Sequence, residues 1–335
     1  MTLLSRRSLA LLATMPTRFA IAQTLTRIRI TQPAESLSYM PIYVARAQQW
    51  FAAEGLDPEI VITRGDGPDV NALMAGDVEF VATPPHYLYT LFLKGQHLLG
   101  VGGILGRCGI SLAISRSAAA ARGVTEQSPL ADKLRALKGL TIGVSAPGSL
   151  TYNIAEYYAR RAGLALQTDV KIVPIGANAA IIAAMQHGII DCAANNSPLT
   201  DELVQRGLAG WLINNTLGED PALKDFLHAV IYVRPDYLQN NPDVVRRMLR
   251  ALVRAEKFIH DNPVETIAPL LRPYFKSLDE PVFLSAIRNV REAVIPDGKM
   301  TEAASDGYEN VLLSIGYLKQ KVPFDAVFTN AYLPA

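Results

Sequence analysis

Ala72-Leu73-Met74-Ala75-Gly76-Asp77-Val78-Glu79-Phe80-Val81-Ala82 and Ala184-Met185-Gln186-His187-Gly188-Ile189-Ile190-Asp191-Cys192-Ala193-Ala194 are one pattern written twice, 112 residues apart. In each copy a helical stretch stops at a glycine, which takes the left-handed C-cap conformation without a Cβ penalty. A short apolar strand follows. A polar, proline-bearing loop comes next: Thr83-Pro84-Pro85-His86 in the first copy, Asn195-Asn196-Ser197-Pro198 in the second.

The likeness extends upstream. Arg27 to Ile30 and Leu140 to Val144 read as strands, each leading through a loop into a helix that ends at Gly55-Leu56 or Gly163-Leu164. Strands at Ile60-Val61-Ile62 and Val170 to Val173 run into the loops Arg64-Gly65-Asp66-Gly67 and Gly176-Ala177-Asn178. A βαβαβ unit therefore occurs at about 27–85 and again at about 139–198. Strands alternating with helices predict an α/β fold with parallel sheets covered on both faces. Gly109 to Ile114 reads as a strand leaving the first unit, and Ala229 to Val233 as a strand returning. Beyond Arg234-Pro235 the pattern is helical. Val245, Met248, Leu249, Leu252 and Ile259 mark an apolar face, and Arg246, Arg250, Arg254 and Lys257 a solvated one. Two lobes follow: 23–110 plus 235–335, and 111–234.

The chain has 335 residues, enough for about two domains. Half are hydrophobic and 19% charged, which excludes a disordered chain. Lys+Arg 32 against Asp+Glu 31 gives a net charge of +1, without the basic excess of a nucleic-acid binder. Two cysteines exclude a disulfide scaffold and a Cys-built zinc site. Cys108 and Cys192 are expected to be unpaired thiols, because a bridge would restrict lobe motion.

Residues 1–22 read as an export signal. Ser5-Arg6-Arg7-Ser8-Leu9 has the paired arginines of a twin-arginine leader, and Ala20-Ile21-Ala22 places cleavage before Gln23. The expected location is the periplasm.

The chain resembles the periplasmic solute-binding proteins of the nitrate/sulfonate/taurine ABC importers, the group that contains the NMT1/THI5-like and SsuA-like proteins. The resemblance spans about 27–265. It rests on Pro41-Ile42-Tyr43-Val44-Ala45, on Trp50-Phe51-Ala52-Ala53-Glu54-Gly55-Leu56, and on the first glycine-stop segment. Leu137-Lys138-Gly139-Leu140-Thr141-Ile142-Gly143-Val144, Gly148-Ser149, Gly188-Ile189-Ile190-Asp191 and Asn241-Pro242-Asp243-Val244-Val245 complete it. Family members that bind thiamine-precursor pyrimidines tend to carry Trp-x-Pro-Asn where this chain has Ser38-Tyr39-Met40-Pro41-Ile42. The resemblance implies the two-lobed type II periplasmic binding protein fold. It also implies a small-molecule ligand and, as partners, a permease with its ATPase. A monomer without cofactor, metal or nucleic acid is expected.

In open α/β sheets ligands sit outside the carboxyl ends of strands. Gly148, Ser149 and Thr151 follow a strand and open a helix, where free N–H groups favour an anion. A plain N-cap by Ser149 is the competing role. Tyr152 lies one turn further in. Ser36, Ser38 and Tyr39 occupy the equivalent loop of the first lobe, where capping competes. Tyr39, Met40 and Tyr152 are expected to cover an apolar part of the ligand. Thr83 and His86 follow the third strand, and Asn195 and Asn196 are their duplicates. Arg107 offers a bidentate contact to a carboxylate or sulfonate, and Tyr232 lies on the returning strand. Asp66 fits turn chemistry as well as ligand contact.

No H-E-x-x-H, P-loop or G-x-S-x-G motif is present. Gly100-Val101-Gly102-Gly103-Ile104-Leu105-Gly106 misses the dinucleotide spacing and reads as a packed strand. The expectation is a non-enzymatic receptor for a small organic anion such as a sulfonate or carboxylate. The alternatives are a lyase on the same fold and a sensing receptor for a membrane kinase.

Overall fold

The computed structural model describes residues 24–335, so the export-signal reading lies outside the described residues. The strands of the first half are β1 (Thr26–Gln32), β2 (Leu56–Ile62), β3 (Phe80–Thr83), β4 (Leu99–Leu105) and β5 (Ser111–Ser115). Those of the second are β6 (Thr141–Val144), β7 (Lys171–Pro174), β8 (Cys192–Asn195), β9 (Ala209–Ile213) and β10 (Ala229–Val233). They form two five-stranded sheets, ordered β2-β1-β3-β10-β4 and β7-β6-β8-β5-β9.

The duplication holds at the level of single bonds. Gly76 and Gly188 both have positive φ, +83° and +67°. Just beyond them Asp77 N donates to Ala72 O over 2.9 Å, and Ile189 N to Ala184 O over 2.8 Å. Glu79 Oε2 accepts from Arg29 N over 2.7 Å, and the equivalent Asp191 Oδ2 accepts from Thr141 N over 2.8 Å. In each half a carboxylate thus satisfies a backbone donor of the strand that lies between two parallel neighbours, β1 or β6, which the ladder leaves free.

The sheets are mixed rather than wholly parallel. β1 pairs in parallel with β2 and β3, and β6 with β7 and β8. The fourth strand of each sheet, β10 or β5, is antiparallel to both neighbours. Each lies beside a crossing between the halves. Residues 229–233, which the sequence reading groups with 111–234, pair in the first sheet, because β10 fills the gap between β3 and β4. The return crossing therefore lies between Ile213 and Ala229.

Helix Pro242–Asp261 covers the first sheet with Val245, Met248, Leu249, Leu252 and Ile259 buried. The glycine-rich stretch is β4. A Cβ on Gly102 would stand 2.6 Å from the Leu249 side chain, and one on Gly103 2.6 Å from Ile295. The basic stripe is partnered within the fold. Arg250 pairs with Glu54 and Lys257 with Asp261, while Arg246 and Arg254 lie over the rings of Tyr332 and Trp50. Helix Glu280–Arg291 reaches the second half, where Ser285 and Asn289 donate to the buried Asp201 of helix Leu199–Gln205. Cys108 and Cys192 are free and buried. No helix among the described residues is long and apolar enough to cross a membrane.

Candidate ligand-binding site

A cavity of about 1080 Å³ is walled by both halves. Its lining comes from six loops, each following the carboxyl end of a parallel strand: β1, β2 and β3 on one side, β6, β7 and β8 on the other. Ile110 and His228, from the two crossings, complete it. This is where open α/β sheets bind ligands, since strand ends there leave polar loops and helix N-termini unpaired.

In the loop after β6, the hydroxyls of Ser145, Ser149 and Thr151 form one group. Thr151 Oγ1 lies 2.7 Å from both Ser145 Oγ and Ser149 Oγ. Ser149 is the N-cap of helix Leu150–Arg161: its Oγ accepts from Tyr152 N over 3.3 Å and donates to Ala146 O over 2.7 Å. Its hydroxyl is therefore engaged in capping. Gly148, Ser149 and Thr151 line the cavity, but Tyr152 does not; it is half-buried and packs on the core.

In the loop after β8, Asn195 and Asn196 both line the cavity. Asn195 is 3% exposed and its Nδ2 has no hydrogen-bond partner. An unpaired buried amide costs about 1–3 kcal/mol, so this position is primed for an acceptor. Asn196 Nδ2 instead donates to Ser36 Oγ of the other half over 3.1 Å.

In the first half, Ser36, Tyr39 and His86 line the cavity; Ser38, Met40 and Thr83 do not. Ser38 is buried in the turn Leu37–Tyr39, where its N–H donates to Ser36 Oγ. Met40 is wholly buried in the core. Thr83 acts on a neighbour: its Oγ1 donates to Asp66 Oδ1 over 3.3 Å. His86 is buried, its Nδ1 lies 3.4 Å from the Tyr308 hydroxyl and its Nε2 3.9 Å from Asp66 Oδ2. Burial lowers its pKa against the opposing pull of Asp66, so the ring is neutral at pH 7.

Arg107 and Tyr232 are not in the lining. Arg107 sits half-buried in the crossing after β4, in no ion pair among the described residues. Tyr232 lies within β10 and is buried in the core, its hydroxyl donating to Pro84 O. A strand in mid-sheet points its side chains to the faces, not to the strand ends.

Asp66, which the sequence offers as either a turn residue or a ligand contact, is in the lining. Several other lining residues are not site candidates from sequence. Asn178 opens helix Asn178–Gln186 directly after the glycine-bearing loop that follows β7, whose position in the duplication marks it. Arg64, Tyr87 and Ser145 carry no motif. His228 accepts from Gly109 N through Nδ1 over 3.0 Å, a pairing across 119 residues. Among the lining residues Arg64 is basic, and Glu35 and Asp66 are acidic.

Comparison with known proteins agrees with this architecture. A Bordetella bronchiseptica RB50 protein of known structure is 24% identical, with a TM-score of 0.75 over 92% of this chain and 95% of the other. The alkanesulfonate-binding protein SsuA of Xanthomonas axonopodis pv. citri, bound to MOPS, is 17% identical; its TM-score is 0.68 over 91% and 98%. The ligand-binding component of an ABC-type import system from Staphylococcus aureus, with zinc bound, is 13% identical; its TM-score is 0.67 over 92% and 97%. At these identities the likeness establishes the fold, the two-lobed type II periplasmic binding protein fold. The NMT1-like family profile matches residues 34–269. The chain belongs to the NMT1-like family.

Proposed function

We propose that this chain is the solute-binding receptor of an ABC importer, exported to the periplasm, and that it holds a small organic anion in the cavity between its lobes. We assign the lobes by sheet: strands β1 to β4 and β10 with the C-terminal helices form one, and strands β5 to β9 the other. The observation that carries the reading is the cavity itself, into which six equivalent strand ends of a duplicated fold open. Two chain crossings suit hinge closure around a ligand. The binding proteins among the structural relatives support the same function.

The anionic head group belongs at the N-terminus of helix Leu150–Arg161, beside Thr151 and Ser145 and within reach of the same cavity as Asn195 Nδ2. A helix start favours an anion because its first N–H groups lack partners. The cavity volume favours an organic ligand over a bare inorganic ion. The protein would then deliver its ligand to a permease and its ATPase, and would not transform it.

A thermal-shift screen over sulfonates, carboxylates, nitrate and pyrimidines tests the reading. At a hundred times its dissociation constant a ligand raises stability by about 2.7 kcal/mol. The expected result is a shift with organic anions that Asn195→Ala reduces. Chemical turnover of the hit, or a shift unaffected by changes at the cavity wall, would contradict it.

A further inference from the structure

The carboxylate of Asp66 stands in the cavity wall with no Lys or Arg partner among the described residues. Its side chain is only 18% exposed. Thr83 Oγ1 donates to Oδ1, and His86 Nε2 at 3.9 Å is beyond hydrogen-bond reach of Oδ2. Asp66 opens helix Asp66–Ala75, whose N-terminus favours a negative charge. The helix start supplies no bond to Oδ2, which is left without a donor among the described residues.

The surroundings point to what would supply one. Tyr39, Tyr87 and His86 line the cavity beside this carboxylate. Tyr39 is 3% exposed, and its hydroxyl has no hydrogen bond among the described residues. Aromatic faces and a carboxylate together suit an ammonium group, through ring quadrupole and charge. On the wall contributed by the other lobe, the unpaired Nδ2 of buried Asn195 asks for an acceptor. The two halves thus present opposite needs: a hydrogen-bond acceptor or anion at Asn195 and the Leu150–Arg161 helix start, and a cation or strong donor at Asp66.

We infer that Asp66 is a specificity-determining subsite for an amino or other cationic group, so that the ligand is an amine-bearing organic acid rather than a simple anion. This rests on the cavity being the ligand site. It extends that reading by naming a second pole of the ligand and the residue that selects it.

Calorimetric titration of the full chain tests it with three series: plain alkanesulfonates from propane- to hexanesulfonate, their ω-amino counterparts, and the matching alkylamines. The expected result is that the best-fitting aminosulfonate binds about tenfold or more tightly than its plain partner, the scale of one charge-assisted hydrogen bond. Asp66→Asn should bring the two to equal affinity. The wild-type comparison needs no variant, so misfolding cannot hide the answer. Equal or tighter binding of the plain sulfonate by wild type would overturn the Asp66 subsite and leave the anion site standing. A preference that survives Asp66→Asn would overturn the assignment to this residue. Asp66-dependent binding of alkylamines without any sulfonate binding would support the subsite and overturn the anionic head group. No binding in any series would overturn both.

Discussion

The backbone N–H of Gly109 donates to Nδ1 of His228 over 3.0 Å, joining the two segments by which the chain passes between its lobes. The contact leaves no room at Gly109, where a Cβ would lie 2.9 Å from the imidazole ring. It also sets the tautomer. Nδ1 accepts, so the proton of the neutral ring is on Nε2.

Burial pushes the His228 pKa from 6.5 down to about 4. The unfolded chain takes up this proton below pH 6.5 while the folded chain resists until about 4. The stability that His228 contributes is therefore lost as pH falls through that window, by about 3 kcal/mol at most. Burial of Asp69 acts in the opposite sense, its pKa being raised from 3.8 to about 7. Its contribution is present at low pH and lost as pH rises to 7. The two are separated by comparing variants. Chemical denaturation of His228→Asn between pH 4 and 7 should show a smaller loss on acidification than wild type, since the Asn Oδ1 takes the place of Nδ1 and can still accept from Gly109. Parallel curves for the two proteins would refute the assignment.

Ser36 Oγ is a second meeting point of the lobes. It accepts from Asn196 Nδ2 and donates to Ser197 O over 3.2 Å. Both bonds span the cavity and can form only when its two walls are close. Ser36→Ala should shift the population toward an open form and weaken ligand binding by about 1 kcal/mol per bond lost. Small-angle scattering should report a larger radius of gyration than for wild type, and calorimetry a weaker affinity. An unchanged radius would mean that these bonds do not hold the lobes.

Ser149 is expected from sequence to meet the ligand or to cap its helix; it lines the cavity and its Oγ makes the capping bond. Because its Oγ caps helix Leu150–Arg161, Ser149→Ala should lower stability by about 1 kcal/mol. Thr151→Ala leaves the bond from Tyr152 N to Ser149 Oγ in place but removes the hydroxyl bonded to Ser149 Oγ and Ser145 N, so it should lower affinity more than Ser149→Ala does. Melting curves and titrations of both variants separate the two roles. A loss of affinity without loss of stability in Ser149→Ala would restore the hydroxyl to the ligand.

Asp201 couples the C-terminal helices to the second lobe. It is wholly buried and accepts from Ser197, Ser285 and Asn289. Burial raises its pKa, and these three donors oppose the rise. Asp201→Ala leaves buried donors unpaired and should cost about 3 kcal/mol of stability. Denaturant titration checks this; a change below about 0.5 kcal/mol would show that the donors find other partners.

The parts of this architecture that could be read from sequence are the local ones. Gly76 and Gly188 announce helix ends because a positive φ is a property of one residue, and the loops after β1, β3, β6 and β8 follow from the repeat. What escaped depends on distant pairings. His228 matters because Gly109 lies against it, 119 residues away. Tyr232 looked like a cleft residue until β10 was seen paired between β3 and β4, which turns its side chain into the core. Asp66 fits turn chemistry and ligand contact equally well in the sequence, and its place in a cavity wall without a Lys or Arg partner among the described residues favours the second. Arg107 was chosen for its charge, but its position in the crossing takes it out of the cavity.

The claim that the two lobes share one ligand site is tested most directly by a crystal structure with the tightest-binding compound from the screen. The account predicts ligand density in the cavity, with an acceptor atom within hydrogen-bond distance of Asn195 Nδ2 and atoms in contact with the Asp66 wall. Density confined to the outer surface, such as the small pocket beside Glu302 and Phe324, with the cavity empty at saturating ligand, would contradict it.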